Sequence, residues 1–172
     1  MLLEANQLSR LLDRLPSLDA AAQAQLWAAL RPELLKKCAE DGLFWLKFVQ
    51  TRDEADPEQT VKPFPAHLEY VRELWGVLDR ERRVVIAKSR QMLVSWLVCA
   101  LVAPRARFFP HQGIYWQTKA WPDAVKMICM PSGGVMGRCQ FIEEHLPPWM
   151  REPYKPSEGR MQYPNGSLIQ SL

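Results

Sequence analysis

Apolar residues in the first fifty positions recur at helical spacing, which predicts an α-helical N-terminal segment over residues 1–50. A leucine face between residues 8 and 15 predicts a first helix, and Ser17 or Asp19 can cap a second. A short apolar run follows at 44–49. The leucine and tryptophan side chains of this segment have the spacing of packing residues, so no catalytic role is assigned to them.

Residues 51–65 interrupt the helical pattern. The segment TRDEADPEQTVKPFP is acidic, contains three prolines and has no periodicity, which is typical of a connector or surface loop. Helical spacing returns at 66–78. The sequence therefore predicts a boundary at 51–65 and a second domain over residues 66–172.

The pattern changes from helix to strand after residue 83. The continuous apolar run at 84–86 predicts a short strand buried on both faces, and GIYWQ at 113–117 predicts a second strand. The apolar segment at 95–102 predicts a helix between them. This order is that of a βαβ unit, so we expect an α/β fold with a parallel sheet and flanking helices.

Two further helices and a hairpin are predicted in the last third of the chain. Thr118 can cap a helix over 119–130, and a second helix is predicted at 138–145. Asn165 and Gly166 stand between two alternating segments, which is a strong hairpin signal.

Charge is distributed unevenly along the chain. The net charge is only +3, which identifies no partner by itself. However, residues 1–80 hold ten basic and thirteen acidic side chains, whereas residues 81–172 hold twelve and six. We therefore expect any contact with a polyanion in the second half.

Cysteine usage and hydropathy predict a compartment. The four cysteines form no CxxC pair and no zinc-like cluster with histidine, which is typical of reduced thiols. No apolar stretch reaches the roughly 18–20 residues that span a bilayer, and the N-terminus lacks the basic region of a secretory signal. We expect a soluble, intracellular protein with no membrane partner.

The loop between the first predicted strand and its helix carries the candidate chemistry. A phosphate-binding loop, GxxxxGK[ST], holds phosphates with backbone N–H groups and a lysine, while its Ser or Thr binds Mg²⁺. Aligned on Ser95, this sequence has Val94 at the lysine position, and Leu93 and Lys88 at the two glycine positions. The motif is not met as written.

Lys88 can supply the missing ammonium from another place. It ends the predicted strand, its long side chain can fold back over the loop, and Arg90 adds a second cation. Two interpretations stay open at this point: the two cations bind phosphates, or they solvate the end of a strand.

A resemblance favours phosphate binding. AKSRQMLVSW is similar to the deviant phosphate-binding loop of the large terminase subunits of tailed bacteriophages, ATPases that drive DNA into procapsids and often carry the lysine at the front of the loop. Other segments resemble the same family in the same order: the adenine-side segment, the second strand with its helix, and the helix and hairpin before the acidic catalytic strand. These segments read FWLKFVQTRDEADPEQTVKPFPAHLEYV, YWQTKAWPDAVKMI, RCQFIEEHLPPWM and YPNGSLIQSL.

The resemblance implies an ATP- and Mg²⁺-dependent motor domain with a P-loop NTPase-like parallel sheet that is incomplete at its C-terminus. It makes Lys88 the phosphate lysine, Ser95 the Mg²⁺ ligand and Arg90 the catalytic arginine, and it makes Phe64 a candidate for stacking on adenine. The implied nucleotide-binding residues are Lys88, Ser89, Arg90, Gln91, Met92, Leu93, Val94, Ser95 and Phe64. Implied partners are double-stranded DNA bound without sequence specificity, the small terminase subunit, the portal protein and further copies of the chain, in the host cytoplasm.

The sequence departs from the family pattern in several places. Leu93 stands where many relatives have glycine, so a positive φ is costly there and we expect a differently shaped loop. Phe64 matches by position only, and a buried core phenylalanine is an equal alternative. No apolar run ends in the Asp-Glu pair that activates water, and Glu143 and Glu144 are expected on a solvated helix face. We therefore expect the N-terminal portion of such an ATPase.

Two other function classes remain. One is a non-catalytic interaction module that binds the small terminase subunit, DNA or another copy. The other is a small P-loop kinase, which ranks last because the Gly-Lys pair of its motif and an acceptor site are missing.

Overall fold

The computed structural model describes residues 19–52, 61–89, 92–132 and 135–172. Within these residues the chain forms six α-helices and six short strands, which makes it a mixed α/β protein. The leucine face predicted at 8–15 lies outside the described residues, as do Arg90 and Gln91.

Two helices open the described chain. Helix α1 spans Ala20–Glu40, and the Asp19 side chain accepts a hydrogen bond of 2.8 Å from the Ala22 N–H, so the predicted cap is confirmed. Helix α2 spans Gly42–Leu46 and is capped by Asp41 in the same way.

The N-terminal helices share one hydrophobic core with the rest of the chain. Trp27 of α1 stacks on Trp149 with 5.0 Å between ring centroids. The Trp45 indole N–H of α2 donates to the Ala100 carbonyl at 2.9 Å. The sequence pattern predicts the helices, but only tertiary contacts reveal that they are packed against later elements.

The ends of the predicted connector pair with each other. Strand β1, Gln50–Arg52, and strand β2, Val61–Pro63, form an antiparallel two-stranded sheet in which Thr51 lies opposite Lys62. The absence of periodicity in the sequence gave no sign of this pairing, because three-residue strands are too short to show alternation.

Helix α3 spans Glu69–Arg80 and helix α4 spans Val94–Phe108. Helix α4 begins one residue before the predicted start and continues six residues past the predicted end. Pro104 and two arginines interrupt its apolar pattern, yet Pro104 is buried inside the helix. Most of α4 is buried, so it is the central helix of the core.

A four-stranded sheet and two short helices complete the described chain. Strand β3 is Gly113–Trp116, helix α5 is Trp121–Ile128 and helix α6 is Arg138–His145, followed by a 3₁₀ turn at Pro148–Met150. Strands β4, β5 and β6 are Lys155–Ser157, Arg160–Gln162 and Leu168–Ser171. The sheet order is β3-β6-β5-β4; only β3 and β6 pair in parallel, and the other pairs are antiparallel.

The strand predicted at 84–86 is wrong. These residues form no strand, and the Val85 side chain is 99% exposed. An apolar triplet becomes a buried strand only where other strands pair with its edges and helices cover its faces. No described strand pairs with residues 84–86, so the predicted βαβ unit lacks its first strand and the sheet is not the parallel one expected.

The Asn165-Gly166 hairpin is confirmed, because it connects β5 to β6 and Gly166 has a φ of +84°. The Asn165 amide donates to the carbonyls of Ala106 and Arg107 at 2.9 and 3.0 Å, which ties the turn to the end of α4. The cap predicted at Thr118 is wrong: its hydroxyl donates to the Ala120 carbonyl at 2.6 Å, and α5 begins at Trp121.

No helix in the described part of the chain is long and apolar enough to cross a membrane.

Candidate phosphate-binding loop

The predicted loop begins as exposed chain. Lys88 and Ser89 are both exposed, and they end a segment, 84–89, that forms no helix or strand. A lysine on such a segment keeps its charge in solvent and can reach a ligand without breaking a packed contact.

Leu93 gives the end of the loop its shape. Its backbone is left-handed, with φ 52° and ψ 11°, and it precedes the first residue of α4. A left-handed residue followed by a right-handed one turns successive N–H groups toward one point, which is an anion-binding concavity. Leu93 therefore adopts the positive φ that the sequence analysis expected to be costly for leucine.

Contacts on both sides of Leu93 explain why the strained backbone persists. The Tyr70 hydroxyl of α3 donates to the Met92 carbonyl at 3.4 Å, and the Val94 side chain is buried. Leu93 itself packs against the core. A conformation that costs roughly 1–2 kcal/mol is kept when its surroundings determine it from several directions.

Ser95 is the second residue of α4 and is half-buried. The N-cap residue of α4, Leu93, makes no side-chain hydrogen bond to the start of the helix, and the first N–H groups of a helix have no partner within it. A phosphate group fits these donors, and the Ser95 hydroxyl can supply one oxygen to a Mg²⁺ ion bound with it. Among the described residues, no group of three or more His, Cys, Asp or Glu side chains could hold a metal by itself.

Phe64 is a core residue in this structure. Its side chain is 5% exposed, and its backbone N–H donates to the Val49 carbonyl at 2.9 Å. This burial matches the packing interpretation that the sequence left open. Stacking on adenine stays a prediction.

An arginine–aromatic cluster beside the loop was missed by the sequence analysis. It consists of Arg52, Trp96, Arg138 and Phe141. The Arg138 guanidinium lies 5.5 Å from the Trp96 ring centroid, and that of Arg52 lies 4.8 Å from the Phe141 ring. The two rings pack edge to face at 5.4 Å. Residues from β1, α4 and α6 meet here, and their separation along the chain leaves no local signal.

A buried ion pair lies between the other ends of α4 and α6. Arg107 pairs with Glu143, and the two side chains are 2% and 0% exposed. The Tyr163 hydroxyl donates to the same carboxylate at 2.9 Å. The expectation of a solvated Glu143 is wrong, whereas Glu144 is exposed. Burial raises the pKa of Glu143, and burial also raises the pKa of Tyr163.

The four cysteines are free and buried. Burial raises the pKa of Cys38 to about 12 and that of Cys129 to about 11. A hydrogen bond with Cys99 and burial raise the pKa of Cys139. A thiol with such a pKa stays protonated near neutral pH, so Cys38, Cys129 and Cys139 act in packing rather than as nucleophiles.

Two surface grooves lie away from the loop. One, of about 300 Å³, is lined by Trp75 and by the Asp79–Arg105 ion pair near the end of α4. The other, of about 350 Å³, is lined mainly by Tyr154, Tyr163 and neighbouring prolines. Neither groove is lined by a described residue of 88–95.

Neither a scan against models of known protein families nor a search among curated proteins found a match to this chain.

Proposed function

We propose that this chain contains the nucleotide-binding part of an ATP-driven DNA-packaging motor of the large terminase kind, with residues 88–95 as its phosphate-binding loop. Lys88, Arg90 and Ser95 contact the triphosphate and its Mg²⁺ ion, and double-stranded DNA is the polymer moved. The small terminase subunit, the portal protein and further copies of the chain are its partners, and it works in the host cytoplasm.

The observation that carries the proposal is the backbone at Leu93. A left-handed residue directly before a 15-residue helix directs N–H donors at one point, which is what a phosphate-binding loop requires. Leu93 occupies the position of the second glycine of the standard motif, although the residue itself departs from it. Exposed Lys88 upstream and Ser95 in the first helical turn supply the charge and the hydroxyl.

When bound, Mg²⁺ and ATP supply the reactive phosphoryl group. Lys88 neutralises charge on the phosphates, the N–H groups around Leu93 orient them, and Ser95 holds the ion. Water activation needs a glutamate after an apolar strand, and residues 1–172 contain no such sequence. The proposal therefore predicts binding of nucleotide by these residues without turnover.

The test is calorimetric titration of the 172-residue chain with ATP and Mg²⁺. Lys88→Ala is expected to weaken binding at least tenfold, because it removes a charge-assisted phosphate contact of about 1.5–3 kcal/mol. Lys155→Ala is the matched control, since Lys155 is an exposed lysine on β4, away from the loop.

Equal effects of the two lysine changes, or no binding by the unchanged chain, contradict the proposal. Sustained phosphate release that depends on Lys88 contradicts the prediction of binding without turnover.

A second candidate function, a non-catalytic interaction module, is favoured by exposed apolar side chains. Val85, Tyr115 and Trp121 are 99%, 59% and 48% exposed, although residues of these types are more often buried. Nucleotide binding in the calorimetric test decides against an interaction module that has no nucleotide site.

A further inference from the structure

We propose that Arg138 is an additional phosphate-binding residue, held on the face of Trp96 and directed at the phosphates bound by the loop. The inference rests on the proposed function, because it takes those phosphates to be the ones of a nucleoside triphosphate at residues 88–95. No motif in the sequence assigns Arg138 this role.

The Arg138 side chain contacts helix α4. Arg138 is the first residue of α6, and its guanidinium lies over the ring of Trp96, the third residue of α4. Trp96 lies in the first turn of α4, so the guanidinium over its ring is at the end of α4 that follows Leu93.

The charge of Arg138 has no carboxylate partner among the described residues. None of the ion pairs among the described residues includes Arg138. Its Nη1 donates to the Met127 sulfur at 2.9 Å, which is a weak acceptor, and its buried Nε has no hydrogen-bond partner. A half-buried guanidinium in this condition gains more than a solvated one from an anion that reaches it.

A second arginine of the arginine–aromatic cluster, Arg52, has the same kind of surroundings as Arg138. Arg52 lies over Phe141, whose ring packs on Trp96, and no described carboxylate pairs with Arg52 either. Lys88 stands on the approach to the same helix start. Several cations near the start of one helix match an anion with several negative charges, and a triphosphate chain has that chemistry.

The experiment compares single-charge losses in the 172-residue chain. Calorimetric titration with ATP and Mg²⁺, with inorganic triphosphate and with adenosine is done on the unchanged chain, on Arg138→Gln and on Arg105→Gln. Arg105 is the matched control because it sits on α4 but pairs with exposed Asp79 at 2.9 Å. Arg138→Gln is expected to weaken ATP and inorganic triphosphate about tenfold and to leave adenosine unchanged.

Arg138→Lys separates binding from folding. Lysine keeps the charge but not the planar guanidinium that lies on Trp96, so we expect a smaller loss of triphosphate affinity than for glutamine. The advantage of ATP over AMP should also shrink in Arg138→Gln, which a general loss of structure would not produce. Thermal unfolding of each variant checks that it is folded.

The possible outcomes distinguish the two proposals. If Lys88→Ala weakens triphosphate binding and Arg138→Gln matches Arg105→Gln, the role of Arg138 is wrong and the proposed function stands. If Arg138→Gln weakens triphosphate binding and Lys88→Ala does not, the arginine site stands and the displaced lysine is wrong. Failure of the unchanged chain to bind either triphosphate overturns both.

Discussion

Two arginines contact the same pair of helices and differ in what balances their charge. Near the end of α4, Arg107 meets a carboxylate, Glu143, that is as buried as the guanidinium. Near the start of α4, Arg138 meets the Trp96 ring and a thioether sulfur. Each arginine has a buried Nε without a hydrogen-bond partner among the described residues, so this atom does not distinguish them. The difference is that Arg107 has a carboxylate partner.

The difference separates a structural arginine from one placed for a ligand. The Arg107–Glu143 pair is closed: its two charges balance, and Tyr163 and the Met150 carbonyl each add a hydrogen bond to it. Arg138 pairs with no carboxylate among the described residues and lies at the end of α4 whose N-cap residue, Leu93, makes no side-chain capping hydrogen bond. A cation without a counter-charge is stabilised when an anion binds beside it.

Breaking the closed pair gives the largest expected effect. Glu143→Ala leaves the buried Arg107 guanidinium without a counter-charge, and we expect the free energy of unfolding to fall by about 3–5 kcal/mol. Urea denaturation followed by circular dichroism measures the change. If the chain becomes too unstable to purify, the same variant in a stabilising osmolyte gives the comparison.

Two controls keep this interpretation specific. Glu144→Ala, on the exposed neighbour, removes only the hydrogen bond from the Tyr154 hydroxyl and should change stability by less than about 1 kcal/mol. Replacing both members of the pair, Arg107→Met with Glu143→Leu, should recover most of the loss because neither charge is then buried. A loss below about 1 kcal/mol for Glu143→Ala would mean that water reaches the pair.

The sequence predicted elements that depend on local pattern and failed where tertiary contacts decide. Helix 138–145 and the turn at Asn165 were correct, because spacing and turn chemistry are local. The burial of Glu143 could not be predicted, since the arginine that neutralises it is 36 residues away along the chain. The strand at 84–86 was wrong for the same reason: a strand depends on neighbours that a short apolar run does not specify.

The backbone strain at Leu93 gives an effect of intermediate size. Leu93→Gly and Leu93→Ala both remove the packed side chain, but only glycine also relieves the left-handed conformation. We expect Leu93→Gly to be more stable than Leu93→Ala by about 1 kcal/mol, which reverses the order of the two residues inside a helix. Urea denaturation of both variants measures the difference, and a more stable Leu93→Ala would show that φ at this position is not positive in solution.

The candidate site divides in the same way between local and distant information. Ser95 at the start of a helix and exposed Lys88 before it follow from the pattern of the segment itself. The conformation of Leu93 depends on Tyr70 of another helix, and the placement of Arg138 depends on Trp96. Neither contact has a sequence signal, because each joins residues from different elements.

The smallest expected effect on stability is that of replacing Arg138, the arginine without a carboxylate partner among the described residues. Arg138→Gln should change the free energy of unfolding by less than about 1 kcal/mol, because the cation–π contact that is lost is offset by removing a half-buried charge that has no carboxylate. Urea denaturation without phosphate, next to Glu143→Ala, gives the measurement. A loss as large as that of Glu143→Ala would show that Arg138 is as structural as Arg107. A small loss in the free energy of unfolding leaves the guanidinium available to a ligand, because an arginine that contributes little to folding can donate its hydrogen bonds to an anion without destabilising the fold.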